Sequence, residues 1–348
     1  MADDHLTKVV KRLKEKGLTI QVGREGEIIA EPTGFISTRC PTLDYLIGRP
    51  GVPLGGITLI VGAYGSGKST ICLNLLAEAQ ARGAQCYIFD TEGRLDFTRL
   101  EKLGVNLANL GVAQPDTLED TFDGVKEVIG KAREEEPEEG VLIVVDSIAG
   151  APLGKELKGE KTALGAQSLL IRRELRVLSN MVNRQRIGLV ITSQPRQRID
   201  IGKWGRPETS WLGEAALGHA AMTTILLEEK SKFGDDPNSP IGHRIQATLI
   251  DTRIAGCDRP ECRECRRKDF KRTFDFYDAT GPDFWGSALE VLQECKVVTY
   301  KNGWYSYGEL KPFRQAGFHE LTEQHPELVD ALATILRGGH HGQTSTEA

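Results

Sequence analysis

The chain has 348 residues and a net charge of −5, with 39% hydrophobic and 27% charged residues. These proportions are typical of a globular protein and exclude a fibrous repeat or a largely disordered chain. No apolar run approaches the roughly 18 residues of a membrane-spanning helix, and the charged N-terminus does not resemble a secretory signal. We therefore expect a cytoplasmic protein without a membrane partner.

The first predicted element is a short amphipathic helix near the N-terminus. Leu6, Val9, Val10 and Leu13 recur there at helical spacing. Because so short a helix buries little surface alone, it packs either on its own domain or on a neighbouring subunit.

From about residue 35, short β-branched runs alternate with helical stretches. The runs are ITLIVG, QCYIFD, VLIVVD, IGLVITSQ, TTILLEE, HRIQATLID and RTFDFYD. Alternating strands and helices predict an α/β fold with a mainly parallel twisted sheet and ligands at the carboxyl ends of its strands. The last of these strands have short connections, so we expect antiparallel additions to the sheet.

A small α+β domain is predicted after the core, which we assign to residues 36–279. A helical run, ALEVLQEC, is followed by an aromatic hairpin at WYSYGE and a helix around PELVDALATIL. We assign residues 280–338 to this domain and residues 339–348 to a flexible tail.

GAYGSGKST follows a predicted strand and precedes a helical run, and it fits the phosphate-loop pattern G-x-x-x-x-G-K-[ST]. Its backbone N–H groups and the helix N-terminus suit the phosphates of a nucleotide. We expect Lys68 to reach the β and γ phosphates and Ser69 to ligate Mg²⁺. The alternative is a glycine-rich turn without a ligand. The predicted nucleotide residues here are Gly62, Ala63, Tyr64, Gly65, Ser66, Gly67, Lys68, Ser69 and Thr70.

Two further predicted strands end in acids that suit the same ligand. Asp146 ends VLIVVD and is expected to hold Mg²⁺, directly or through water. Asp90 and Glu92 follow another strand at the same edge of the sheet. A carboxylate there can deprotonate the attacking water, so Glu92 is the expected general base. The alternative is a surface acid that begins the next helix.

The order of these motifs resembles the bacterial RecA recombinases over nearly the whole chain. The matching segments are GAYGSGKST, FDTEGRLD, AQPDTLED, VLIVVDS, ITSQPR, GRPETSWLG and WYSYGE. The resemblance implies a RecA-type phosphate-loop NTPase core, with residues 1–35 as a polymerisation segment. It also implies a DNA-dependent ATPase that forms helical homo-oligomeric filaments on single-stranded DNA. Homologous pairing and strand exchange with double-stranded DNA, in recombination and repair, are its implied activities.

Several site residues carry over from this resemblance. Glu92 falls at the family's catalytic glutamate, Gln194 at the glutamine that senses the γ-phosphate, and Asp96 at the acid near adenine. Arg99 replaces the family's adenine-stacking tyrosine. A guanidinium can also stack on a base, but the preference for adenine becomes uncertain.

The family also places two lysines across the subunit interface against the γ-phosphate. In this chain the corresponding positions are Asp251 and Arg253. Arginine can stabilise developing phosphate charge, whereas aspartate cannot, so coupling between hydrolysis and the filament is expected to differ. The alternative is that Arg253 only forms a salt bridge with Asp251.

Basic residues are concentrated between positions 172 and 206 of an otherwise acidic chain. A solvated helix face explains those before position 187, but not those that flank a glycine-containing loop. The resemblance places DNA-binding loops near residues 154–165 and 195–210. Trp204 is then expected against DNA and Trp211 at a subunit contact. The predicted DNA-binding residues are Arg172, Arg176, Arg196, Arg198, Lys203, Trp204 and Arg206.

A cysteine-rich insertion lies between two of the later strands. Cys257, Cys262 and Cys265 have the C-x4-C-x2-C spacing of half a zinc knuckle. A structural Zn²⁺ needs a fourth ligand, for which His243 and Cys295 are candidates. The alternative is three reduced thiols in a basic hairpin. The other four cysteines, Cys40, Cys72, Cys86 and Cys295, are scattered and are expected to be buried thiols.

Two other functions fit the same motifs. A RecA-superfamily helicase or recombination mediator would form a closed ring instead of an open filament. A non-catalytic ATP-binding scaffold would have no need of Lys68, Glu92 and Asp146 together.

The DNA loop yields the first prediction. Trp204→Ala should weaken binding to single-stranded DNA by roughly ten- to a hundredfold, because stacking on a base contributes about 1–3 kcal/mol. Arg206→Ala, as a comparison, should lower the salt dependence of binding by about one unit of slope. DNA-binding titrations measure both affinities, and tryptophan fluorescence of the native chain with ATP reports whether Trp204 meets DNA. Unchanged affinity in Trp204→Ala, together with native emission that does not respond to DNA, would identify the ring as a packing or interface residue.

Overall fold

The computed structural model describes residues 11, 32–163, 165–197, 209–211, 218, 220–236, 239–254 and 270–337. The strands are β1 (Gly34–Ile36), β2 (Val52–Leu54), β3 (Gly56–Gly62), β4 (Gln85–Asp90), β5 (Leu110–Ala113), β6 (Val141–Asp146), β7 (Ile187–Ser193), β8 (Pro195–Gln197), β9 (Thr209–Trp211), β10 (Thr223–Phe233), β11 (Gly242–Thr252), β12 (Phe270–Tyr277), β13 (Gly281–Pro282), β14 (Thr299–Lys301) and β15 (Trp304–Ser306). The helices are α1 (Pro41–Ile47), α2 (Lys68–Ala81), α3 (Phe97–Lys102), α4 (Leu118–Glu135), α5 (Gly154–Leu157), α6 (Ala166–Val182), α7 (Phe284–Glu294), α8 (Phe318–Gln324) and α9 (Glu327–Leu336).

Nine of these strands form the central sheet, in the order β13-β12-β11-β10-β3-β7-β6-β4-β5. The neighbours from β10 to β5 are parallel. The strands from β10 to β13 pair antiparallel. The predicted α/β fold, with antiparallel strands added to a mainly parallel sheet, is therefore confirmed.

Both faces of the parallel strands are buried. Ile60 and Val144 face a core that includes Leu75 and Leu76 of α2. Leu59 and Val145 face the opposite core, together with residues of α4 and α6. Burial on both faces explains why these strands read as continuous apolar runs rather than alternating ones. The sheet is thus a fixed platform whose carboxyl edge carries loops.

Residues after β13 build a third apolar cluster. Helices α7, α8 and α9 contribute Leu289, Phe318 and Leu332 to it. The hairpin begins earlier than WYSYGE predicts, because β14 pairs with β15 across a turn at Asn302 and Gly303, both with positive φ. An Asn-Gly pair is the strongest short-range hairpin signal.

Three of the four scattered cysteines, Cys40, Cys72 and Cys86, are buried as predicted. The prediction is wrong for Cys295, which is partly exposed because it lies at the end of α7, where its thiol approaches the Tyr45 hydroxyl at 3.7 Å. No helix in the described ranges has the length and apolar character needed to cross a bilayer.

A buried carboxylate joins α1 to the end of β1. Asp44 is 1% exposed and accepts hydrogen bonds from the Ser37 hydroxyl at 2.6 Å and from the backbone N–H and hydroxyl of Thr38 at 3.0 and 2.7 Å. Burial raises the pKa of Asp44 to about 6, although these hydrogen bonds oppose the rise. The folded chain therefore holds this proton at a pH where the unfolded chain has lost it.

This proton gives a pH-dependent prediction. Between about pH 4 and pH 6 the folded state binds more protons at Asp44 than the unfolded state, so this group lowers the free energy of unfolding as the pH rises. Relative to Asp44→Asn, the free energy of unfolding of the native chain should fall by about 2–3 kcal/mol between pH 4 and pH 7. Urea denaturation at a series of pH values measures the difference. Glu127→Gln, which removes an exposed acid from α4, controls for net charge, and parallel curves for the native chain and Asp44→Asn would refute the prediction.

Candidate active site

Four parallel strands bring the predicted site residues to one edge of the sheet. In the strand order β3-β7-β6-β4, Val61 pairs with Ser193, and Asp90 pairs with Asp146. These pairs lie at the carboxyl ends of their strands. The phosphate loop after β3, the acids after β4 and β6, and Gln194 after β7 therefore share one edge.

The phosphate loop is shaped by close backbone packing. A Cβ on Gly62 would lie 2.2 Å from the Ser66 hydroxyl oxygen and 2.7 Å from the Leu227 carbonyl oxygen. Gly67 has φ +88° and lies against the Phe276 ring. Helix α2 begins at the next residue without a side-chain cap or an acid in its first turn. The first backbone N–H groups of α2 are thus available to an anion.

Lys68 folds back over this loop. Its ammonium donates to the Ala63 carbonyl oxygen at 2.9 Å, and the residue is 7% exposed. Burial lowers the pKa of Lys68, whereas the nearby charges of Asp146 and Glu92 oppose that shift. A bound phosphate would add negative charge where this ammonium lacks solvent.

The remaining loop residues fit a phosphate ligand and a cation. The Ser66 hydroxyl is buried, and no described residue forms a hydrogen bond with it. Ser69 is exposed in the first turn of α2, and Tyr64 is 82% exposed. The loop therefore offers an unpaired buried hydroxyl, free N–H groups and a lysine to an anion, with a serine hydroxyl beside them.

The acids at this edge have different partners. Asp146 accepts a hydrogen bond from the Thr192 hydroxyl at 2.5 Å. Asp90 is 5% exposed and accepts from the backbone N–H groups of Glu92 and Leu95, at 3.2 and 3.1 Å. Asp90 therefore shapes the loop that carries Glu92, while the second oxygen of Asp146 accepts no hydrogen bond from the residues that the structure describes.

Glu92 and Gln194, far apart in sequence, are in direct contact. The Gln194 amide donates to Glu92 Oε1 at 3.1 Å, and the Ser147 hydroxyl donates to the same oxygen at 2.9 Å. Glu92 Oε2 is 3.7 Å from the Arg94 guanidinium. Sequence reasoning missed Ser147, for which the only signal was its position directly after Asp146.

Arg99 lies on the neighbouring helix α3, and Asp96 directly precedes that helix. The Asp96 carboxylate caps α3 by accepting from the N–H groups of Thr98 and Arg99, at 2.9 and 3.2 Å. The Arg99 guanidinium donates to the Thr70 hydroxyl of the phosphate loop at 2.8 Å. Arg99 thus contacts the phosphate-loop segment, and the roles of both residues towards a nucleobase stay predictions.

Arg253 lies at the opposite edge of the sheet. Thr223 pairs with Thr58 near the start of β3 and with Thr252 at the end of β11, whereas the phosphate loop follows Gly62. At about 3.3 Å per residue, four residues of strand place some 13 Å between these edges. The Arg253 guanidinium donates to the Gly218 carbonyl oxygen at 3.3 Å. Asp251 forms no ion pair with it in the part of the chain described.

Helix α6 presents a basic face. Arg172 and Arg176 are exposed and, within the described ranges, form no ion pair. With Leu169, which is 68% exposed, they line a groove of about 790 Å³. Arg173 instead donates to Glu174 at 2.6 Å. Two of the predicted DNA-binding residues, Arg172 and Arg176, thus share an exposed face of α6, whereas Arg173 is paired with Glu174.

The structure describes the two predicted DNA loops unequally. Residues 154–163 follow β6 and are mostly exposed. The other loop begins and ends in the antiparallel pair of β8 and β9, which contain the backbones of Arg196 and Trp211. The side chains of those two residues, and residues Arg198, Lys203, Trp204 and Arg206, lie outside the described parts.

The predicted zinc ligands Cys257, Cys262 and Cys265 also lie outside the described residues, as do most of residues 1–35 and the predicted tail. Among the residues that the structure describes, no three His, Cys, Asp or Glu side chains are grouped closely enough to hold a metal. The suggested fourth ligand His243 lies between Glu229 and Asp278, at 3.3 and 3.0 Å. The zinc hypothesis stays a prediction.

Comparison with known proteins gives one consistent match. The profile of the RecA N-terminal domain matches residues 4–259. Protein RecA of Syntrophobacter fumaroxidans is 29% identical over 345 residues, which cover 98% of this chain and 94% of that protein. Protein RecA of Aquifex pyrophilus is 31% identical over 317 residues, covering 89% and 83%. Protein RecA of Aquifex aeolicus is 30% identical over 311 residues, covering 88% and 82%.

Proposed function

The chain belongs to the RecA family, and from this premise we propose that it is an ATP-dependent DNA recombinase. It assembles as a filament on single-stranded DNA and promotes homologous pairing and strand exchange with duplex DNA. The observation that carries the proposal is the grouping of Lys68, Glu92, Asp146 and Gln194 at one edge of the sheet. A scaffold that only binds nucleotide would not need a carboxylate such as that of Glu92 beside the phosphate loop.

The reaction is hydrolysis of the terminal phosphate of ATP. Glu92 accepts a proton from the attacking water, and Lys68 stabilises the negative charge that develops on the phosphate oxygens. Ser69 and Asp146 would hold Mg²⁺, which neutralises phosphate charge when bound. Gln194 links the site to β8 and the loop beyond it, so the state of the loop and that of the site depend on each other.

Arg253 acts in this proposal from a neighbouring subunit. Its position at the opposite edge of the sheet prevents contact with the phosphate loop of its own chain. A head-to-tail interface brings the two edges of successive subunits together, and repetition of that interface produces a filament or a ring. ATP then lies between subunits, and its hydrolysis requires assembly.

DNA contacts the two loops and the basic face of α6. The exposed guanidinium groups of Arg172 and Arg176 suit phosphates, because neutralisation of the backbone needs no base sequence. Arg196, Arg198, Lys203 and Arg206 add charge, and Trp204 adds a ring for stacking. Both single-stranded and double-stranded DNA carry backbone phosphates, so both are proposed partners.

Two finer assignments belong to the same proposal. We place the protein in the cytoplasm, where its thiols stay reduced. We also retain a structural Zn²⁺ at Cys257, Cys262 and Cys265, because clustered thiolates are the usual ligands of that ion.

The proposed general base can be tested by Glu92→Gln. This variant keeps the size and polarity of the side chain, so ATP binding and filaments on single-stranded DNA should persist. Hydrolysis should fall by about a hundredfold or more, because no carboxylate remains to accept the proton. Steady-state hydrolysis assays and electron microscopy with a slowly hydrolysed ATP analogue measure the two effects.

Lys68→Ala is the companion variant. It removes the cation of the phosphate loop and should abolish hydrolysis and weaken ATP binding together. Near-normal turnover in Glu92→Gln would exclude Glu92 as the general base. Closed rings in the micrographs would favour a helicase or a recombination mediator.

A further inference from the structure

One carboxylate oxygen of the proposed base has two donors of different kinds. Glu92 Oε1 accepts from the Ser147 hydroxyl at 2.9 Å and from the Gln194 amide at 3.1 Å. Both donors favour a single orientation of the carboxylate. Their attachment to the rest of the protein differs.

Ser147 is fixed within the core. It is 1% exposed and directly follows β6. Its backbone N–H donates to the Thr91 hydroxyl oxygen at 3.1 Å, and the same hydroxyl donates to the Ser147 carbonyl oxygen at 2.5 Å. Thr91 precedes Glu92, so the serine is tied to the loop that carries the base.

Packing also leaves little freedom to the stem of Glu92. A Cβ on Gly150 would lie 2.5 Å from the Thr91 hydroxyl oxygen and 2.8 Å from Cγ of Glu92. The Glu92 side chain therefore packs directly on the backbone of Gly150, and its carboxylate contacts the Ser147 hydroxyl. The serine supplies orientation that packing of the stem alone does not.

Gln194 is the less constrained donor. It is half-buried and stands between β7 and β8, at the entrance to the proposed DNA loop. A rearrangement of that loop would move the amide, whereas six residues that include the buried Ile148, Ala151 and Leu153 separate Ser147 from the other proposed DNA loop. The contact from Ser147 thus persists when the contact from Gln194 changes.

We propose that Ser147 is the positioning residue of the reaction, holding Glu92 in the orientation that accepts a proton from water whether or not Gln194 remains bonded to it. The proposal rests on the proposed function, because it takes Glu92 as the general base. Ser147 itself touches neither water nor phosphate. It acts through the carboxylate alone.

The decisive experiment is a double-mutant cycle. In the native background, Ser147→Ala should lower kcat for ATP hydrolysis on single-stranded DNA by about ten- to a hundredfold, as expected for loss of a hydrogen bond to a charged group. The KM for ATP should change little, because the contact is not made to the nucleotide. In the Glu92→Gln background, Ser147→Ala should cause no further loss, because residues that act as a unit are not additive.

Two further variants separate positioning from a general structural effect. Ser147→Thr keeps a hydroxyl and should restore most of the rate lost in Ser147→Ala. Ser193→Ala removes a buried hydroxyl that has no hydrogen-bond partner among the described residues, and it should hydrolyse ATP at the native rate. Binding of a fluorescent ATP analogue shows whether each variant retains a folded site.

The outcomes distinguish this inference from the proposed function. Native turnover in Ser147→Ala, or an equal fractional loss in both backgrounds, overturns the positioning role while leaving the base assignment intact. Native turnover in Glu92→Gln overturns the base assignment itself. A loss in Ser147→Ala that Ser147→Thr fails to restore, with ATP binding also lost, identifies a structural role and overturns the proposal.

Discussion

The site depends on the parallel register of β3, β7, β6 and β4. Because adjacent parallel strands end at the same edge, residues far apart in the sequence meet there: Gln194 contacts Glu92, 102 positions away, and Asp146 lies beside Asp90. Arg253 lies at the other edge because it follows β11, which runs antiparallel to β10. The parallel strands therefore assemble the hydrolytic groups, and the antiparallel strand separates them from the arginine that would complete them.

Burial on both faces makes this edge rigid, and rigidity has an electrostatic cost. Lys68 is buried with its ammonium on a backbone carbonyl, and burial lowers its pKa while Asp146 and Glu92 oppose the shift. The buried Ser66 hydroxyl, which has no hydrogen-bond partner among the described residues, adds a second unfavourable group. A phosphate could accept a hydrogen bond from both groups, so the same burial that is unfavourable for them favours an anionic ligand.

Sequence patterns predicted most of the fold but less of the site. Apolar runs gave the buried strands, whereas β5 was missed because LGVA is short, contains glycine and is only partly buried. Phosphate-loop and strand-end residues could be predicted because their chemistry follows from position on a strand. Ser147 was missed, because a hydroxyl that holds Glu92 differs from its neighbours only through a contact with a residue 55 positions away in the sequence.

The central claim is that Arg253 completes the site of a neighbouring subunit, and mixing two inactive variants tests it most directly. Arg253→Ala and Glu92→Gln should each be impaired alone. In a one-to-one mixture on single-stranded DNA, random assembly pairs an intact Glu92 with an intact Arg253 at roughly a quarter of the head-to-tail interfaces. The mixture should recover about that share of native ATP hydrolysis. A mixture no more active than its components, or full activity of Arg253→Ala alone, would contradict it.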